Sequence, residues 1–227
     1  YEIASCLVGS EMCIRDRRST GHKWIGCMLV TPITACHGLD VEYHLQQAHK
    51  AFHANKWILT DKNVSIADRV HYFQTVVTPV ACFAAGHRVF YREDLNKLDI
   101  SFRKLLRQVV GPPGGIDWNR PWHEILHDWH LRISDIISEL GIKTWAHTTL
   151  ERHWQLASYI AALPDNRWVK RVLEWIPRGQ RSRGRPIHAW EDKLQCFFCA
   201  NNIGNWKLAA KDTQAWNSLT GDFILFM

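Results

Sequence analysis

The sequence lacks any uninterrupted apolar run of the roughly 20 residues a helix needs to cross a bilayer, so no membrane partner is expected. It also lacks a recognisable disulfide framework. Its seven cysteines are scattered, odd in number and preceded by no secretory signal, which suits a reduced, intracellular compartment. Negative charge is in short supply: 22 Asp and Glu stand against 28 Lys and Arg, a formal charge of +6 with a pI near 9.0. That imbalance points to a polyanionic partner. No internal repeat is evident. What is plentiful is tryptophan, with 12 in 227 residues, in a chain whose 46% hydrophobic content is ordinary for a globular fold. Tryptophan fills cores, anchors helices and stacks on bases, so its abundance alone does not choose among these.

The first 17 residues read as foreign to the rest. The run from Leu7 to Arg17 resembles a sequencing-library transposase adapter read as codons, and Tyr1-Glu2-Ile3 resembles the primer end preceding it. Residues 1–17 are therefore expected to be adapter-derived, disordered and dispensable.

Beyond them, the apolar, β-prone stretch Lys23–Val30, closed by Thr31-Pro32, predicts a short strand or hairpin. Asp40 is placed to cap a helix over Val41–Leu59 with Leu45, Ala48 and Phe52 on one face. A second helix starts at Asn63 or Ser65, burying Ile66, Val70, Phe73 and Val77, and Pro79 should kink or end it. A third, Glu93–Val110, lines Leu95, Leu98, Phe102, Leu105 and Leu106 along one side and puts Arg92, Lys97, Arg103, Lys104 and Arg107 elsewhere. Gly111-Pro112-Pro113-Gly114-Gly115 marks a boundary. Helices are then expected over Trp122–Leu140, closed by Gly141, over Thr148–Leu163, and from Pro164 through Trp175. After a basic loop, two more follow around Ala189–Cys199 and Trp206–Leu219.

The strongest chemical signal is Arg167–Arg185. Arg167, Lys170, Arg171, Arg178, Arg181, Arg183 and Arg185 face only Glu174. Guanidinium forks match phosphate oxygens, and clustered cations gain affinity by releasing condensed counterions. Gly184 and Pro186 keep the segment extended, while Trp168, Trp175 and Trp190 flank it as candidates for stacking on bases or for packing beneath the loop.

These residues form part of an ordered array: Arg167-Trp168, Val172-Leu173-Glu174-Trp175, Arg183-Gly184-Arg185-Pro186, His188-Ala189-Trp190-Glu191-Asp192, then Trp206, Ala209-Ala210, Asp212 and Trp216. The array resembles the tail that follows the polymerase domain in non-LTR retrotransposon reverse transcriptases. Lys23-Trp24-Ile25-Gly26-Cys27 resembles that family's primer-gripping strand, and the helices from Val41 to Val110 are similar to its thumb. One departure is Ala157-Ser158-Tyr159-Ile160, where the family often carries Gly-His; the family's usual paired arginine is also less obvious. The chain contains no Asp-Asp dipeptide, so the aromatic-x-Asp-Asp turn that holds two magnesium ions is missing.

The resemblance implies a mainly α fold: a helical thumb-like bundle followed by a helical tail, with a small β-hairpin near the N-terminus. The implied division is 18–38 as the end of the palm, 39–110 as thumb, 111–120 as linker, and 121–227 as tail with its basic loop at 177–187. The implied function is holding template-primer or target RNA and DNA, with Lys23, Trp24 and Gly26 near the primer. No catalytic or metal residue is assigned, and no polymerase activity is expected from the chain alone. Mg2+ belongs to the full-length enzyme, whose upstream polymerase region is a partner and whose location would be nuclear.

Three other patterns compete. His123-Glu124-Ile125-Leu126-His127 matches the zinc-protease spacing and is the alternative reading, a metal-dependent hydrolase. Asp128 is an unusual neighbour there, no third ligand follows, and an amphipathic helix burying Ile125, Leu126, Trp129 and Ile133 accounts for the same residues. Pro164-Asp165 with Glu191-Asp192-Lys193 resembles a restriction-type nuclease set, but both segments read as helical. Cys196-Phe197-Phe198-Cys199 is half of a zinc spacing, and its helical periodicity predicts core cysteines instead.

Overall fold

The computed structural model describes residues 21–24, 27–30, 36–112, 114, 119–174 and 190–227. They are mainly helical. Strands β1 (Gly21–Trp24) and β2 (Cys27–Val30) pair antiparallel, with Trp24 opposite Cys27. Helix α1 (Cys36–Ala54) packs against β2. It begins earlier than the polar cap at Asp40 suggested. Asp40 lies inside the helix and is buried because Arg88, far along the chain, neutralises it at 2.5 Å. A tertiary ion pair has overridden a local capping preference.

The remaining elements show their local causes. Asn55 interrupts the first helix, and a single turn, α2 (Lys56–Leu59), follows. Helix α3 (Ile66–Val76) starts at Ser65, whose hydroxyl accepts the Asp68 N–H at 3.1 Å. Pro79 stands in the first turn of α4 (Thr78–Ala81), where its missing N–H is tolerated. A short 3-10 turn (Ala85–His87) precedes α5 (Arg92–Val110), which buries Leu95, Leu98, Phe102, Leu105 and Leu106 as its periodicity predicts. At its C-terminal end the buried Arg69 donates from Nη1 to the Val109 carbonyl at 2.6 Å, placing a cation against unpaired helix carbonyls.

Helix α6 (Trp122–Glu139) is followed by Gly141 at φ +60°, a left-handed closure that glycine adopts cheaply. Thr144 caps α7 (Trp145–Ala162), and a shorter α8 (Trp168–Glu174) follows. After α9 (Asp192–Ala200), the helix expected over Trp206–Leu219 is broken into α10 (Trp206–Ala209) and α11 (Thr213–Ser218), and a further helix α12 (Thr220–Phe226) follows. The break falls at Asp212, whose carboxylate accepts from the backbone N–H groups of Gln214 and Ala215 and starts a new helix.

One apolar cluster runs from Val41 to Phe223, so the helices on both sides of residues 111–120 share a core. Phe73 and Phe102 meet Trp145 at its centre, the rings of Phe73 and Trp145 stacked 6.0 Å apart. Trp154, Trp216, Phe197, Phe198 and Phe223 form a second aromatic group within it. Each such side chain removed from water contributes about 1.5–3 kcal/mol. The two groups are joined by α7 packing on the turn at Gly86, where a Cβ would come within 3.0 Å of the Arg152 carbonyl. Only glycine permits that approach without displacing backbone. Four of the tryptophans, Trp145, Trp154, Trp206 and Trp216, are fully buried core residues, while Trp57, Trp122 and Trp168 are exposed.

Candidate nucleic-acid interface

Helix α8 carries the described part of the basic stretch. The hairpin at Pro164-Asp165 returns the chain from α7, and the sequence then places Arg167, Trp168 and Arg171 on the outside. Trp168 is 75% exposed, as Trp57 also is at 74%, and the Arg171 guanidinium lies 5.6 Å from the Trp168 ring centroid. This cation–π pair holds a flat apolar face and a positive fork side by side. Lys170 behaves differently. Its ammonium donates to the Leu163 carbonyl at 3.0 Å and pairs with Asp165 at 2.7 Å, closing the C-terminal end of α7. Through that hydrogen bond Lys170 holds the Asp165 carboxyl below its ordinary pKa. Lys170 therefore spends much of its charge locally.

The other expected contacts are distributed unevenly. Lys23 and Trp24 belong to β1, while Gly26 lies outside the described residues. Arg178, Arg181, Arg183 and Arg185, the whole basic loop at 177–187 and Trp175 also lie outside them. Trp190 is half-buried; its Nε1 donates to the Gly86 carbonyl at 2.8 Å, and its ring sits 4.4 Å from that of His153. It packs inward as part of the core.

A second cationic surface was legible only as the polar side of an amphipathic helix. Arg103, Lys104 and Arg107 of α5 face His49 of α1 and His130 of α6 closely enough to matter electrostatically. Partial burial, then Lys104 and His53, lower the His49 pKa; partial burial, then Arg107, Arg103 and His127, lower that of His130. Both imidazoles are thereby biased toward the neutral form.

His123 and His127 are exposed, and Arg120 engages both neighbouring carboxylates, Glu124 at 3.1 Å and Asp128 at 2.9 Å. The glutamate a zinc protease uses as a base is thus tied to a guanidinium. Asp165 pairs with Lys170 and Glu191 with Lys207; both lie in turns just before helices rather than within them, and not on the adjacent strands nuclease chemistry needs. The cysteines expected in the core are instead outside: Cys196 and Cys199 are exposed while Phe197 and Phe198 are buried. Either pair suits a helix, and the larger apolar area of the phenylalanines decides which faces inward.

Sequence reasoning missed a buried polar group at the start of the fold. Cys27 of β2, Asp40 and His44 of α1 hold donor atoms within 4.8 Å of one another, with Arg88 on Asp40 and the His44 ring stacked on Phe83. Among the described residues it is the one group of three or more such donors. The available signal was the i, i+4 spacing of Asp40 and His44.

Comparison with known proteins supplies no relative: no family model matches the chain, nor does any curated protein or solved structure.

Proposed function

We propose that this chain holds nucleic acid, as the thumb-and-tail portion of a non-LTR retrotransposon reverse transcriptase. The observation that carries the reading is the exposed Trp168 with Arg171 beside it, at the entrance to an arginine-rich loop. A stacking face next to a phosphate-binding fork is the combination single-strand binding requires. Arg167, Arg171 and the loop residues Arg178, Arg181, Arg183 and Arg185 contact phosphates; Lys23, Trp24 and Gly26 lie near a primer. Template-primer RNA or DNA and target DNA are the partners, in a nuclear enzyme whose Mg2+ is held by an upstream polymerase region. The chain alone has no paired aspartates and incorporates no nucleotide.

The test is fluorescence anisotropy with a labelled single-stranded oligonucleotide. Trp168→Ala should weaken binding by about 1–3 kcal/mol, the worth of one stacked base, with the circular-dichroism spectrum unchanged. Equal affinity of Trp168→Ala and wild type would remove Trp168 from the interface. Absence of any wild-type binding would remove the function.

A further inference from the structure

We propose that Cys27, Asp40 and His44 form a site for a zinc-class divalent metal ion, with Arg88 ion-paired to the aspartate. Three donor types that zinc accepts, a thiolate sulfur, a carboxylate oxygen and an imidazole nitrogen, converge from two elements within 4.8 Å. The residues are positioned by the fold. Asp40 and His44 are one turn apart on α1, and β2 lays Cys27 against that helix.

The site adjoins the buried Arg88–Asp40 ion pair. Arg88 Nε engages Asp40 Oδ2, while the other oxygen, Oδ1, is turned to His44 Nε2 at 3.6 Å. That separation is long for a hydrogen bond. It matches two donors sharing one tetrahedral zinc, which stand about 3.3–3.7 Å apart when each is about 2.0–2.2 Å from the metal. A carboxylate held through its second oxygen by a guanidinium is also the outer-shell arrangement that fixes metal ligands. The Asp40 and His44 side chains are only 9% and 5% exposed, so the ion would be desolvated on the protein side. Three protein ligands leave a fourth position for water or another donor. A dication there would meet two anionic ligands once the thiol has lost its proton, alongside the Arg88 cation.

The probe is cobalt(II), titrated into the full chain carrying Cys196→Ser and Cys199→Ser, which removes the exposed thiol pair as a competitor. The expected result is one equivalent bound with a sulfur-to-cobalt charge-transfer band in the near ultraviolet. Zinc should displace the cobalt, and the band should disappear in the added variant Cys27→Ser. His44→Gln should keep the sulfur band but bind cobalt at least about tenfold more weakly, as expected for loss of a ligand. Failure of the double-serine chain to bind one equivalent with that band overturns the proposal, whatever the fold of the Cys27 variant. Persistence of the band in a folded Cys27→Ser chain overturns it equally.

Discussion

Trp154 and Trp216 stack face to face, ring centroids 3.9 Å apart, and each indole N–H donates to the other's backbone carbonyl, at 3.2 and 3.3 Å. The two residues lie 62 positions apart, on α7 and α11, so the pair fastens the C-terminal helices to the centre of the fold. Trp216→Ala is predicted to cost about 3–5 kcal/mol, the range for emptying a large aromatic site. Trp216→Phe keeps most of the ring but leaves the Trp154 carbonyl without its donor, at about 1–3 kcal/mol. Urea unfolding of the two variants checks the order; equal, small losses would mean the pair does not fasten the helices.

Gly86→Ala is predicted to destabilise the protein although it adds one methyl group. Its Cβ would meet the Arg152 carbonyl at 3.0 Å and Leu156 Cδ2 at 3.3 Å, and the first contact is backbone. The cost should be about 1–3 kcal/mol, typical of overpacking. Trp190→Phe, which removes the donor to the Gly86 carbonyl, should likewise lower thermal stability. If Trp190→Phe instead leaves stability unchanged and weakens single-strand binding, Trp190 belongs to the interface.

Stability should fall in mild acid because of His153. Burial pushes its pKa down to about 4 against a weaker opposing effect of the Gly86 peptide. The folded protein holds the imidazole neutral, whereas the unfolded chain protonates near its ordinary value of about 6.5. The contribution is therefore complete above about pH 6.5 and is lost as pH falls toward about 4, by at most about 3 kcal/mol. From about pH 7 to about pH 5 the wild type should lose unfolding free energy relative to His153→Leu, which has no imidazole to protonate. Parallel profiles would show that His153 is already protonated or already solvated in the fold.

Much of this architecture was written in local pattern. The apolar stripe of α5, the Ser65 cap and Gly141 each act within a turn of themselves, and each appears where the sequence put it. What escaped depends on distant partners. Asp40 has the chemistry of a cap but is buried inside α1, ion-paired with the distant Arg88. Cys196 and Cys199 share their helix with Phe197 and Phe198, and periodicity cannot say which pair faces in. At the candidate interface, composition singled out the basic stretch Arg167–Arg185, yet charge counting could not distinguish Lys170, committed to Leu163 and Asp165, from Arg171 over Trp168.

The most direct test of nucleic-acid holding is a salt titration of binding by wild type and by the variant with Arg178, Arg181, Arg183 and Arg185 all changed to alanine. Each phosphate neutralised adds about 0.9 to the magnitude of the log-affinity versus log-salt slope on duplex, and about 0.7 on single strands. The variant's slope should be shallower by roughly two to four units, with affinity falling alike for unrelated sequences, because phosphate contacts position without specifying. Parallel slopes from a variant that remains folded by circular dichroism would contradict the account, since the loop would then carry none of the phosphate contacts assigned to it.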